Sequence, residues 1–432
     1  MLQMQKKLSN LFYTILPLPA TAMGFALSIQ IAALSWIMNT KYHLNLEEIG
    51  FVWAAGPAAG IIGQVVVGMI SDNVWFWGGR RRPFVLIGGI TAAIMLIALP
   101  NIDVVSNFLG IGEIIIVATG IALTLDLAIN ISFNPTRSII ADVTPEGEPR
   151  TKGYTWMQTI SGFFGVVAYV ISVVFDNYVL IYFGVFFVFI FSVLPMFFIE
   201  EPKKLNEVSD DAPEITHDTN LVELIKIYAA HAFTWLAVQT MFVYIFGFLK
   251  SVFYNYEITE KISEEANKLI GDNISISFAI LNTVGFLVPV LLLANVAKVL
   301  GRVKTHVLAL ALMSASYFFI AFFVKDSTTL YIAMAVCGIG WGSLVSLPFA
   351  IMSENVKKDK MGLHMGIFNL SVVIPQLLVS VLIGGIVEGS SEKNLIFIIS
   401  GGAMAISAFL WLFVKESKPA GGEVSRGGGG GH

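Results

Sequence analysis

The chain has 432 residues, of which 56% are apolar and only 13% charged, with a formal net charge of −4. Soluble domains carry about 25% charged residues, so the composition excludes an ordinary soluble globule, and the weak acidic balance excludes a nucleic-acid partner. A single cysteine, Cys337, excludes an intrachain disulfide.

A helix needs about 20 apolar residues to cross hydrocarbon. Twelve stretches qualify, at 12–38, 48–71, 83–101, 107–134, 153–176, 178–199, 224–253, 269–298, 304–324, 328–352, 363–388 and 393–414. They are continuous rather than alternating, which predicts helices and not barrel strands. The basic opening MLQMQKK leads into the first stretch with no small-residue cleavage site after it, so that stretch is read as a retained helix. The fold class expected is an all-α integral membrane protein of twelve transmembrane helices.

The first loop of note follows the second helix and reads GMISDNVWFWGGRRRP, placing Asp72 near Arg80, Arg81 and Arg82. The fourth stretch, Asn107 to Asn134, carries Asp126 deep within it. An ionisable group at that depth is expensive and reads by default as functional. After it comes PTRSIIADVTPEGEPRTKG, with Arg137 and Asp142. The longest polar segment, EEPKKLNEVSDDAPEITHDTN from Glu200, then divides the chain into a first bundle (1–199), a cytoplasmic linker (200–222) and a second bundle (223–418). Residues 419–432, glycine-rich, are read as a flexible tail or tag remnant.

The second half repeats the first weakly. ANVAKVLGRVKT follows helix eight as GGRRRP follows helix two, and PFAIMSENVKKDKMG follows helix ten as PTRSIIADV follows helix four. Parallel six-helix repeats put the substrate site between the halves near the midplane. Charge orients the whole. With the N-terminus in the cytoplasm, the inner side collects Lys6, Lys7, Arg80 to Arg82, Arg150, Lys152, Lys203, Lys204, Lys298, Arg302, Lys304, Lys357, Lys358, Lys360, Lys415 and Lys418. The outer side holds only Lys41, Lys250, Lys261, Lys268, Lys325 and Lys393. Both termini are therefore expected in the cytoplasm of a multi-pass cell-membrane protein, such as one of a bacterial inner membrane.

With its loop of glycine, acid and closing Gly-Arg-Arg cluster, the chain resembles the major facilitator superfamily, in which such contacts latch the halves in one conformation. That resemblance implies gating roles for Asp72, Arg80, Arg81, Arg82 and Asp142. FVWAAGPAAGIIGQVVVGMISD, GGRRRPF, LDLAINISFNPTRSIIADV and MGLHMGIFNLSVVIPQLLVSV are similar, more narrowly, to the sucrose/proton symporters and their bacterial relatives of the glycoside-pentoside-hexuronide class. The resemblance implies proton coupling at Asp126 and sugar binding at Arg137. Eleven residues advance a helix about 16 Å and return nearly to the same face, so Asp126, Asn130, Asn134 and Arg137 are expected to form one stripe. The chain departs from the plant pattern at the outer end of helix seven, where it reads MFVYIFGFLKSVFYNYE, and at Leu46, where a histidine is usual. The resemblance therefore implies a disaccharide or glycoside and leaves open which one.

Sugar sites combine a few hydroxyl partners with apolar faces. Helix seven offers Trp235 and Gln239 on one face, with His231, which is given no proton role, and helix eleven offers Asn369 and Gln376. Gln30, Gln64, Gln158 and Asn282 complete the candidate substrate ligands, although any such residue can instead bond a neighbouring helix. No cofactor and no metal site is expected. The expected partners are a sugar, protons and the lipid bilayer, with the chain acting as a monomer.

The function read from the sequence is secondary active, proton-coupled sugar symport by alternating access, with sodium coupling or an exporter of other small molecules as alternatives. An integral-membrane enzyme is disfavoured. The histidines are scattered, and neither HExxH nor GxxxxGK[ST] occurs. A receptor or scaffold of the same fold would be told apart by its failure to carry labelled sugar.

Overall fold

The computed structural model describes residues 3–57, 59–60, 67, 70, 74–144, 148–202, 219–258, 260–288, 292–353, 355–356, 361–390, 392 and 394–415. Its principal helices are α1 (Leu18–Thr40), α2 (Leu46–Trp53), α3 (Arg82–Ala98), α4 (Ile114–Val143), α5 (Glu148–Val174), α6 (Asn177–Val193), α7 (Leu221–Phe248), α8 (Glu264–Val288), α9 (Arg302–Phe323), α10 (Ser327–Leu344), α11 (Met361–Leu378) and α12 (Leu395–Trp411). Among the described residues nine helices are long and apolar enough to span a membrane, with Thr159–Val174 and Leu395–Trp411 as shorter apolar helices. Much of the expected second span, 48–71, and most of the linker lie outside the described residues.

The helices start where short polar side chains can take up the first free N–H groups. Asn45 caps α2 in a reciprocal box with Glu48, both bonds at 2.8 Å. Asp176 caps α6 at 2.7 Å, and Asp326 caps α10 at 3.0 Å. The fourth span sits later in the sequence than expected. A separate helix, Ile102–Leu109, ends at Gly110, and α4 then runs on through Pro135 to Val143. That shift leaves Asp126 near the middle of α4.

Each half builds the same contacts. α1 packs on α6 and α5, and α3 on α4 and α6; in the second half α7 packs on α12 and α11, and α9 on α10 and α12. Between the halves α5 meets α8 and α2 meets the end of α11. Adding six to one pair gives the other, as a two-fold repeat requires.

The two halves close on each other at the end away from the chain termini, here called the distal end. Lys250, 2% exposed, donates to Asn39 Oδ1 (2.8 Å) and to the Ile258 and Glu260 carbonyls (2.7 and 2.8 Å). Asn39 in turn donates to the Leu44 and Ile258 carbonyls. The Glu388 carboxylate accepts from the Leu46 and Glu47 amides at the start of α2. Two glycines let the backbones meet. A Cβ on Gly50 would overlap the Ser380 carbonyl, and one on Gly384 would come within 2.7 Å of the Leu46 carbonyl. Wide helical turns at Leu249–Phe253 and Val379–Ile383 bring both second-half elements to this seam.

Overfilling such a contact costs about 1–3 kcal/mol. Gly50→Val is therefore expected to part the distal seam, lengthening the distance between spin labels on His43→Cys and Lys261→Cys; an unchanged distance would refute the seam. Lys250→Met should act in the same direction. It strands the Asn39 oxygen and two carbonyls, at a cost of about 1.5–3 kcal/mol, visible as a lower melting temperature and greater cysteine reactivity at His43→Cys.

Candidate functional site

Beneath the seam, between the halves, lies a cavity of about 410 Å³. Gly24, Leu27, Ser28, Gln30 and Ile31 of α1 line it, with Trp53, Gly56, Pro57 and Gly60 from α2 and the residues that follow it. α4 adds Asp126, Ile129, Asn130 and Phe133, and α5 adds Tyr169. The second half supplies Trp235, Gln239 and Phe242 from α7, Asn282 from α8, Trp341 from α10, and Asn369, Val372, Val373 and Gln376 from α11. The mixture of few polar groups and many aromatic faces is that of a small-molecule site.

Asp126 is 6% exposed. Its Oδ2 accepts from Gln30 Nε2 at 2.9 Å, and its own backbone carbonyl accepts from Asn130 Nδ2 at 2.8 Å. Gly56 lies directly against the carboxylate, where a Cβ would stand 3.2 Å from Oδ2. Among the described residues no basic side chain pairs with Asp126. A buried carboxylate so placed has one neutral donor to offset the loss of water, and the rest of the deficit falls on whatever fills the cavity.

The second-half wall is held by its own bonds. Gln376 Nε2 donates to Gln239 Oε1 at 3.1 Å, and Asn282 donates to the Phe278 carbonyl at 2.9 Å. Trp235 Nε1 donates to His231 Nε2 at 2.9 Å, and the His231 ring stacks on Phe368 with centroids 4.4 Å apart. An Nε2 that accepts leaves the imidazole proton on Nδ1, and that nitrogen is buried without a hydrogen-bond partner. His231 thus fixes the indole that faces the cavity. Trp341 packs edge-on to both Trp235 and Phe242, 6.2 and 5.4 Å away. Above, Trp53 donates to Ser35, which donates to the Val243 carbonyl, so an α1–α2–α7 chain of hydrogen bonds roofs the cavity on the distal side.

Of the residues singled out from the sequence, Gln30, Asp126, Asn130, Trp235, Gln239, Asn282, Asn369 and Gln376 meet in this one wall. Arg137 does not. It is exposed beyond the cavity, its guanidinium 4.2 Å from the ring centre of Phe133, which itself forms part of the wall. The stripe expected along α4 thus leaves the cavity after Phe133. Gln64 and Asp72 lie outside the described residues, as does the side chain of Gln158. Two carboxylates hold the described part of the basic cluster. Arg81 Nε meets Asp142 Oδ2 at 3.1 Å, and the amides of Arg80, Arg81 and Arg82 donate to the Glu201 carboxylate at 2.8, 2.8 and 2.7 Å. These bonds join the first bundle to itself and to the start of the linker.

Sequence reasoning missed Tyr169, Trp53, Trp341 and Glu201. Tyr169 is buried, with its hydroxyl beside Ser28 and Asn282, so it links the walls of both halves. Nothing marked these aromatic residues out from the many that only pack. Glu201 had a signal, an acid at the edge of the linker, but its partners are backbone amides that no residue pattern names.

A model of the Major Facilitator Superfamily matches residues 18–263 and 266–430. The general alpha-glucoside permease of Schizosaccharomyces pombe is 26% identical over 188 residues, 40% of this chain and 34% of the permease. The sucrose transport protein SUC4 of Arabidopsis thaliana is 28% identical over 134 residues, 28% of this chain and 26% of that protein. These matches therefore span about a quarter to a third of each relative's length. The sucrose transport protein SUT2 of Oryza sativa subsp. indica is 22% identical over 426 residues, 81% of this chain and 82% of that protein. In fold, the chain is similar to the nucleoside transporter NupG (TM-score 0.70, 12% identity, 94% and 100% coverage) and to the xylose transporter XylE from E. coli (TM-score 0.66, 15% identity, 94% and 97% coverage).

The His231–Trp235 pair is open to a double-mutant cycle. His231→Leu is expected to lower stability by about 1–3 kcal/mol, since it leaves the indole N–H unpaired. The same change in a Trp235→Phe background should cost less, and equal costs in both backgrounds would show that the bond has no energetic weight.

Proposed function

Because the chain belongs to the Major Facilitator Superfamily, a family of transporters and not of enzymes, we propose that it is a proton-coupled symporter of a disaccharide or glycoside that works by alternating access. The α-glucoside and sucrose transport proteins among its relatives support the substrate class. The wall supports it as well. Gln30, Asn130, Gln239, Asn282, Asn369 and Gln376 can donate to and accept from sugar hydroxyls, and Trp235, Trp341 and Phe242 offer aromatic surface to the C–H side of a pyranose.

The observation that carries the coupling is Asp126, buried in the wall of the same cavity with Gln30 as its side-chain donor and no described cation beside it. Carrying a charged carboxylate through a closed, water-poor state is costly, and a proton removes the charge. Binding a proton with the sugar lets the loaded carrier reorient; losing it at the other face lets the sugar go. With the terminal end in the cytoplasm, as the basic loops support, the distal seam closes the external side. Arg137 then stands at the cytoplasmic side of the cavity. Its role is to meet the sugar or the Asp126 carboxylate as the cargo leaves, and not to hold the cargo in this state.

A symporter moving one proton per sugar accumulates its cargo about tenfold under a pH difference of one unit, the ratio that 1.4 kcal/mol sets. In proteoliposomes loaded by an imposed pH gradient, Asp126→Asn is expected to bring that ratio to about one while counterflow of labelled maltose or sucrose persists. Accumulation by Asp126→Asn, or accumulation in the unaltered protein that follows a sodium gradient and ignores pH, would defeat the proton reading.

A further inference from the structure

Two glutamines in the second-half wall of the central cavity are bonded to each other. Gln376 of α11 donates from Nε2 to Gln239 Oε1 of α7 at 3.1 Å. Each amide has a donor end and an acceptor end, so this bond occupies one end of each. The other two ends, Gln239 Nε2 and Gln376 Oε1, have no partner among the described residues and are not shielded from water. They open on the cavity that both residues line. Turning both amides over exchanges nitrogen and oxygen and leaves the same outcome, one free donor end beside one free acceptor end.

The surroundings narrow what such a couple meets. Gln239 is 3% exposed, and its bond to Gln376 sets the direction of both amides before any cargo arrives. Among the described residues the second-half wall carries no charged side chain, so it offers nothing to an ionic group. Trp235 stands one turn from Gln239 on the same face, about 6 Å along α7. Its indole is held there by His231 at 2.9 Å. A flat apolar face thus lies next to a donor–acceptor couple. Two hydroxyls on adjacent carbons of a ring complete that couple. One oxygen accepts from the free amide N–H, and the other O–H donates to the free carbonyl. An isolated ether or ketone oxygen meets only the donor.

We propose that the Gln239–Gln376 pair determines the specificity of the cavity, reading two neighbouring hydroxyls of one pyranose ring whose C–H face rests on Trp235. The proposal rests on the sugar-transport reading above and names the part of the cargo that is read. Asn369 lines the same wall seven residues before Gln376, about 10 Å toward the terminal end of α11. The remainder of a disaccharide or glycoside therefore meets a separate polar group, and the diol is read by the pair alone.

The experiment pairs changes in the cargo with changes in the wall. Counterflow of labelled maltose or sucrose, whichever the unaltered chain carries, is competed in proteoliposomes by each monodeoxy form of that sugar. The same competition is run on sugar bound to the purified full chain, so a variant that binds without transporting still reports. Removing either of two adjacent hydroxyls on one ring should raise the inhibition constant about three- to tenfold, the loss of one hydrogen bond. The double variant Gln239→Met/Gln376→Met removes both partners of the wall bond and strands neither. It should bring those two ratios to about one and leave the ratios at the other positions as they were. Gln376→Met alone should abolish the ratio at one of the two hydroxyls and spare its neighbour. A change that only loosened the fold would scale every inhibition constant together. Dependence on hydroxyls that are not adjacent, or ratios that survive the double variant, overturn the proposal. Failure of the unaltered chain to carry either sugar defeats the transport reading and this inference with it, whereas transport with unchanged ratios in the double variant defeats this inference alone.

Discussion

A carboxyl group in the middle of a membrane helix must be answered by its surroundings, and the organisation of this protein follows from how Asp126 is answered. One amide, Gln30, donates to it; Asn130 bonds to the backbone carbonyl beneath it and so leaves the side chain free to face the cavity. Gly56, three residues beyond α2, brings the backbone up against it without a side chain in between. An ion pair in that place would be more stable in one state and harder to leave. A single neutral donor holds the group in position while its charge remains open to change. The cavity, the aromatic wall opposite and the seam above all surround a group that is incompletely satisfied.

Under the alternating-access reading, closure on one side must be reversible, and the seam is built of bonds that allow it. The distal seam uses an ammonium with three oxygen acceptors, a carboxylate on two helix-starting amides, and glycines where backbones meet. None of these is an ion pair between buried side chains. Each bond can be exchanged for one with water when the halves separate, so the closed and open states can lie within a few kcal/mol of each other, as switching between populated states requires.

The fold was legible because the bilayer imposes length and continuity on every crossing, and twelve such stretches were present in the sequence. The central site was legible to the extent that polar residues in apolar helices are rare: Gln30, Asn130, Gln239, Asn282, Asn369 and Gln376 stood out for that reason and converge on one wall. Arg137 stood out too, yet it lies beyond the cavity, because helical spacing fixes a residue's face and not its depth relative to a wall. Tyr169 and Trp341 were hidden among many aromatic residues. Lys250 read as an outer-side charge, but its ammonium is buried, since the oxygens that hold it belong to the backbone or to a distant asparagine. What escaped was mostly backbone chemistry, which carries no letter in a sequence.

The wide turn at Leu249–Phe253 has a consequence for how α7 serves two places. A π-type turn admits one extra residue, and each residue rotates a helix by about 100°. Gln239 and Lys250 are separated by three ordinary turns and would otherwise point the same way. The added residue turns the upper segment relative to the lower, so one continuous rod gives its amide to the central cavity and its ammonium to the distal seam. Removing a residue there would leave the chamber intact and spin the lock away from its keeper, separating occupancy from enclosure.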